Sequence, residues 1–353
     1  MSNIIRLPML LLIFSCKDSN KVGGGVVIKS KIFVNFAKLT IKLCIMSSSI
    51  KPAHTLKSKI FGHVWALITV VMWGVSFVST RVLLDNGLGP IEIYIYRFVL
   101  AYMVVASFKH SRWLARSWRD EALLALCGVL SGSIYFIAEN TALQYTFVSN
   151  VSLLTSTSPL ITTLLVALMY KSERPGGGMV LGSLVAFMGV ACVIFNSSTN
   201  VEIRPLGDFL SLAAAFSWAL YSMILKRLNA VYDIWFITRK TFFYGVLTAL
   251  PFLIGEPPSY DALSILVRPM VAGNLLFLGL GASLIGYVLW AMTVKRVGAL
   301  KANNYMYLQP IITMVVSVIL LGEQVSVIGY IGCALILGGL WLGDYLQRRA
   351  VRR

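Results

Sequence analysis

Charge is what this chain has least of. Only 13% of its 353 residues are charged, against about a quarter in an ordinary soluble domain, and 58% are hydrophobic. Histidine occurs three times, at His54, His63 and His110, so histidine-based metal or nucleophilic chemistry has almost nothing to work with. The five cysteines are singletons with no C-x-x-C spacing for zinc or a redox pair. Cys127, Cys192 and Cys333 lie inside apolar runs and read as small packing residues. There is no HExxH and no pair of aspartates within an apolar run, so neither an intramembrane enzyme nor a metal is expected. No glycine run leads into GKS or GKT, so no phosphate-cradling loop and no cofactor are expected either.

Acids are scarcer than bases. Against 31 lysines and arginines stand 14 aspartates and glutamates, a net charge of +17. The excess does not form the continuous basic face of a nucleic-acid binder; it sits in short clusters between apolar runs. With a mean hydropathy of +0.79, this is the pattern of a polytopic membrane protein and its cytoplasmic loops. About ten apolar windows are of spanning length: 62–82, 90–108, 121–140, 147–170, 179–196, 208–226, 234–254, 271–291, 299–321 and 327–346. If the count is ten, one face receives Lys109, Arg112, Arg116 and Arg119, then Lys171, Arg174, Lys226, Arg227, Lys295, Arg296 and Lys301. The basic tail 348–353 joins them, while Asp85, Glu202, Glu256, Asp261 and Glu323 fall on the other face. The positive-inside rule then expects a multi-pass protein of the cell (inner) membrane with both termini cytoplasmic.

Residues 1–59 form a basic N-terminal segment unlike the rest, with Asp18 its sole acid. Its apolar run, Leu7 to Phe14, is too short to span, and the Ser15 and Cys16 that follow give a faint likeness to a lipoprotein signal. A start at Met46 and a basic tail are the other two readings.

Prolines mark an internal repeat. Pro159 lies at the centre of SNVSLLTSTSPLITTLLVALMYKSE and Pro310 at the same place in LKANNYMYLQPIITMVVSVILLGE, 151 residues on; Trp73 and Trp218 follow Gly62 and Gly207 at equal spacing, 145 residues apart. A proline inside a membrane helix breaks the hydrogen-bond ladder and persists where neighbours or a cavity satisfy the freed groups. Two repeats, 62–196 and 207–347, each of five spans, enter the membrane from opposite sides because five is odd. The expected fold is therefore all-α, about ten transmembrane helices as two inverted five-helix repeats. Inverted repeats let a transporter alternate around a site at the midplane.

Ser152, Ser156, Pro159 and Thr163 share one face of the fourth span, and Asn303, Tyr307 and Pro310 take equivalent positions on the ninth. They are expected to form two walls of a polar cavity, or else to bond back to their own helices and serve packing. Tyr135 and Glu139 on the third span and Trp290, with Tyr287 and Tyr305, on the second half are candidates for the same cavity. Glu139 is a candidate proton-coupling carboxylate or a solvated end group. Arg97 and its repeat counterpart Arg239 are candidates for substrate charges or gate locks, or for snorkelling to the headgroups. Glu173 and Glu323 close equivalent helices and are candidate gates or exposed caps.

The duplicated proline helix with its trailing glutamate, together with VMWGVSF in the first helix and SWALYS in the sixth, resembles the EamA-like family of the drug/metabolite transporter superfamily. The resemblance runs from about Gly62 to Tyr345. It implies a ten-helix basket that exports amino acids or other small metabolites by alternating access, through a route lined chiefly by the third, fourth, eighth and ninth helices. Pro159 and Pro310 would be the helix-bending prolines, and Glu173 and Glu323 the glutamates that end those helices. Ala219 stands where Gly74 stands in the first half, and the Asn303–Asn304 pair is outside the motif. The partners implied are a small neutral or zwitterionic solute and the lipid bilayer, with proton exchange. A nucleotide-sugar or phosphorylated-sugar exchanger and a non-transporting scaffold are the alternatives.

Overall fold

Several helices begin on local chemistry that the sequence supplies. After Asp85 the chain turns through Gly87, whose φ of +94° is a conformation that side chains with a Cβ resist. Pro90 then opens the next helix at a position where a missing N–H is harmless, and Glu92 reaches back to accept the Gly89 N–H at 2.8 Å. Ser117 and Asp233 cap two later helices by accepting from Asp120 N (3.2 Å) and Trp235 N (2.9 Å).

The computed structural model describes residues 56–107, 112–146, 148–169, 176–197, 205–255, 262–321 and 327–351. Among these there is no strand. The basic segment before residue 56, Glu173 and Glu323 lie outside the described residues.

The first half comprises α1 (Leu56–Asp85), α2 (Pro90–Ser107), α3 (Trp118–Tyr145), α4 in two pieces (Val148–Thr155 and Ser158–Met169) and α5 (Gly177–Ser197). The second comprises α6 (Pro205–Leu228), α7 (Ile234–Ala249), α8 (Pro269–Val297), α9 in two pieces (Ala299–Asn304 and Gln309–Leu321) and α10 (Val327–Val351). By length and composition α1, α2, α3, α6 and α8 can each cross a bilayer. The outside carries large apolar side chains such as Leu168, Met188, Phe209 and Trp341, while Arg97, Glu139, Asn140 and Arg239 are buried. That is the arrangement a lipid-facing protein requires.

Both repeat prolines sit second in the later piece of a broken helix. The first piece of α4 stops at Thr155, and Thr157 N bonds Leu154 O at 3.1 Å in a tightened turn before Ser158 and Pro159 start the next piece. In α9 a 3₁₀ turn, Tyr305–Leu308, plays the same part before Gln309 and Pro310. Placing proline in a first turn removes the clash it would cause mid-helix.

Contacts between the halves are reciprocal. Helix α1 packs on α8 as its counterpart α6 packs on α3; α2 packs on α8 as α7 packs on α3; α1 packs on α9 as α6 packs on α4. The self-related pairs α2–α7 and α5–α10 also touch. This is the pairing a two-fold relation between halves produces. In α5–α10 the approach is backbone to backbone: a Cβ on Gly182 would stand 2.6 Å from Gly339 O, and one on Gly189 2.7 Å from Gly332 O. Gly128 of α3 meets Gly245 of α7 just as closely, at 2.7 Å from Gly245 N.

Candidate functional site

Helices α3 and α8 each widen into a π-helical stretch, Val129–Ile134 and Phe277–Ile285. A π turn leaves carbonyls without their usual helical partners, and such turns concentrate at functional sites. Here other helices take them up. In α3, Leu130 O accepts from the Ser217 hydroxyl and Ser131 O from the Tyr287 hydroxyl. In α8, Ala282 O accepts the Trp73 indole N–H at 2.9 Å. Ser131 and Ala282 are equivalent by the 151-residue repeat offset, so each half offers the same carbonyl to an aromatic donor of α8 or α1.

Between these stretches lies a cavity of about 20 Å³, room for about one water. Trp73, Ser76 and Phe77 of α1 line it, with Arg97 of α2 and Tyr135, Phe136 and Glu139 of α3. From the second half come Trp218 of α6, Tyr287 of α8, and Met306 and Gln309 of α9. The aromatic rings interlock: Trp218 is 5.1 Å from Tyr135 and 5.9 Å from Tyr287, and Trp290 lies behind Trp73 at 5.0 Å.

Arg97 is 1% exposed. Its Nε donates to Ser283 Oγ at 2.8 Å, its guanidinium carbon lies 4.2 Å from the centre of the Phe136 ring, and Nη1 has no hydrogen-bond partner. A buried guanidinium in a membrane helix is held by such contacts. Glu139 is 3% exposed, hydrogen-bonds with Tyr135 and faces Arg97 electrostatically without a direct ion pair. The neighbouring Asn140 donates to Pro90 O at 3.0 Å and ties α3 to the start of α2.

Of the residues singled out in the sequence, the structure therefore brings Arg97, Tyr135, Glu139 and Tyr287 to one cavity, with Trp290 directly behind. The polar stripe of α4 and α9 lies elsewhere. Ser156 Oγ bonds Ser152 O at 2.7 Å and Thr163 Oγ1 bonds Pro159 O at 2.8 Å, so these hydroxyls turn back on their own helix. Asn303 joins three helices: its Nδ2 donates to Thr162 Oγ1 at 2.6 Å and its Oδ1 accepts from Ser222 Oγ at 3.2 Å. Tyr307, fully buried, packs with Ala186, Val190 and Ile336 on the α5–α10 side. Pro159 and Pro310 are buried beside the helix breaks.

Arg239 is not brought to Arg97. It donates to Arg112 O and lies 4.8 Å from the Trp113 ring, in a cluster that binds the α2–α3 loop to α7. Lys240 pairs there with Glu121, which also accepts from the Tyr244 hydroxyl and, at 2.7 Å, from Ala115 N. Tyr232 donates to Asp120 Oδ2 at 2.7 Å and accepts from Arg116 N at 2.9 Å.

Gln309, which with Asn303 and Asn304 makes the ninth span a cavity candidate by sequence, does line the cavity, whereas the tryptophans Trp73 and Trp218, and Ser283, which holds Arg97 from behind, were not expected there. For the tryptophans a signal existed: residues that a repeat places equivalently near the crossing of their helices lie close to the axis relating the halves. For Ser283 no pattern in the sequence distinguishes it from the other serines of an apolar helix.

Comparison with known proteins agrees with this architecture. A probable terminal-alkyne amino-acid exporter of Streptantibioticus cattleyicolor is 29% identical over 298 residues, covering 84% of this chain and 96% of the relative. A probable amino-acid metabolite efflux pump of Escherichia coli is 24% identical over 297 residues, 82% of this chain and 97% of its own length. An uncharacterized transporter of Clostridium kluyveri is 26% identical over 296 residues, covering 79% and 91%. One solved crystal structure superposes with a TM-score of 0.65 at 19% identity, over 83% of this chain and 98% of the other, a likeness of fold. The profile of the EamA-like transporter family matches twice, over residues 60–195 and 205–342, once for each half, and the chain belongs to that family.

Proposed function

We propose that this chain is a secondary transporter that moves an amino acid or similar neutral or zwitterionic solute out of the cytoplasm by alternating access. One observation carries the reading: a cavity lies where the equivalent tryptophans of the two repeats meet, lined by both halves and by the Arg97 guanidinium and the Glu139 carboxyl. At about 20 Å³ the cavity is too small for an amino acid, so binding needs the halves to part. Reciprocal packing gives two mirror-related ways to do so. The exporter and efflux-pump names of the relatives favour an amino-acid-like cargo and an outward direction.

The basic loops support a sidedness. The α2–α3 loop contacts the turn between α6 and α7 through Arg116 and Tyr232, and Asn229 of that turn donates to Ala291 O near the Lys295 and Arg296 end of α8. These clusters share one face with the start of α1, where Thr293 bonds Gly62 O. Assigning that face to the cytoplasm by the positive-inside rule supports cytoplasmic termini and a place in the cell (inner) membrane. Glu139 is the candidate for proton exchange, a buried carboxylate facing Arg97, Tyr135 and Tyr287.

Purified protein in proteoliposomes preloaded with labelled amino acids tests the reading. Saturable exchange that depends on the protein is the expected result; no movement of any solute across a panel of amino acids and other metabolites would overturn it.

A further inference from the structure

Two equivalent tryptophans of this cavity differ in one respect. The Trp73 indole N–H is committed to Ala282 O, whereas that of Trp218, 2% exposed and edge-on to it, has no partner. Near it in the same cavity is a second uncommitted donor, Nη1 of Arg97. Buried donors are normally satisfied, and one left open in a cavity is a site for an acceptor. On the acceptor side stand the Glu139 carboxylate and Gln309 Oε1, which also has no partner.

We propose that the cavity recognises its cargo by a free carboxylate, held by the Arg97 guanidinium with the Trp218 N–H, while the ammonium end of the same molecule lies at Glu139 and Gln309. The assignment rests on the transporter reading above and narrows it to free zwitterionic amino acids. Geometry favours Arg97 as the anchor. Its Nε is fixed by Ser283 and its face by Phe136, so the guanidinium is oriented before cargo arrives and presents planar donors suited to a carboxylate. Charge favours a zwitterion. One guanidinium and one carboxyl group line the cavity; with the carboxyl ionised, a molecule of zero net charge leaves the balance unchanged, whereas a dianionic sugar phosphate or a cationic drug would bury an uncompensated charge. The tryptophan asymmetry supplies direction: a strictly two-fold cavity has no polarity, and of its two equivalent lining tryptophans only Trp218 has a free indole N–H, that of Trp290 behind Trp73 being open as well but not lining the cavity.

The test uses the full chain in lipid nanodiscs and proteoliposomes, with the free amino acids, their methyl esters and their decarboxylated amines as probes. The expected result is a raised melting temperature and exchange with one or more free acids, and at least a tenfold weaker response to the matching ester and amine. Trp218→Phe keeps the ring and removes the donor. It is expected to shrink the acid-to-ester discrimination by about tenfold, the worth of one hydrogen bond to a charged group. Arg97→Gln is expected to abolish it; because loss of the guanidinium also endangers folding, Trp218→Phe carries the decision. Equal binding of acid and ester, discrimination unchanged in Trp218→Phe, or transport of a solute lacking a carboxylate would overturn the assignment while leaving a transporter. Absence of all transport would overturn the transporter reading as well.

Discussion

Trp73 and Trp218 meet edge to face, ring centroids 4.9 Å apart and planes at 87°. They hold equivalent places in the two repeats, and equivalent residues of two-fold-related halves touch only where the axis passes between them. The cavity they line therefore lies at the pseudo-two-fold axis that relates the halves.

Truncating Trp73 should be costly to the fold. Trp73→Ala opens a void against Trp218, Trp290 and Tyr287 and is expected to destabilise by about 3–5 kcal/mol. Trp73→Phe should lose nearer 1 kcal/mol, chiefly the bond to Ala282 O. Thermal unfolding followed by tryptophan fluorescence separates the two; equal losses would mean that the ring is not packed as described.

The Glu121–Lys240 pair should behave as a buried pair. Both side chains are 9% exposed, and Glu121 also holds Tyr244 and the Ala115 N–H. Removing one partner, by Lys240→Met or Glu121→Gln, is expected to cost about 3–5 kcal/mol, and the double variant less than the sum. Strict additivity in a double-mutant cycle would show that the pair does not join the α2–α3 loop to α7.

Glycines of the α5–α10 seam should tolerate change only where space exists. A Cβ at Gly182 meets backbone atoms of Gly339 and Gly343 at 2.6 Å, so Gly182→Val is expected to abolish folded protein in membranes. Gly338, one residue from the seam, has nothing within 4 Å, and Gly338→Ala should accumulate normally. Fluorescence-detected size exclusion of tagged variants reads both.

Glu139→Gln should affect pH-driven transport more than exchange. With the carboxylate gone, cargo exchange between preloaded vesicles is expected to weaken, because the ammonium end loses its charged partner, while accumulation driven by an imposed pH gradient is lost altogether. Equal gradient-driven accumulation in the variant and the parent chain would remove Glu139 from the coupling step.

Much of the architecture could be read before any coordinates. In lipid the backbone finds no outside hydrogen-bond partners, so a 58% hydrophobic chain can span only as helices or a closed barrel, and continuous apolar windows of about 20 residues select helices. The paired prolines exposed the duplication, and an odd number of crossings per unit made its halves inverted. Those conclusions depend on composition and spacing, which are one-dimensional properties.

Which polar residues face the centre is not. Ser156, Thr163 and Asn303 each lie on a helix face with a proline, yet a hydroxyl in an apolar surrounding can satisfy itself on the carbonyl one turn back, and an asparagine can bridge to a neighbouring helix. Arg97 and Arg239 stand near one another in repeat register, a small gap apart, and part company because one finds Ser283 and Phe136 in the core and the other the carbonyl of Arg112 in a loop. The π turns that free carbonyls for Ser217, Tyr287 and Trp73 leave no mark in hydropathy. Spacing places a side chain on a helix; only the packing of helix on helix decides whether its polar group meets a backbone, a partner or a cavity.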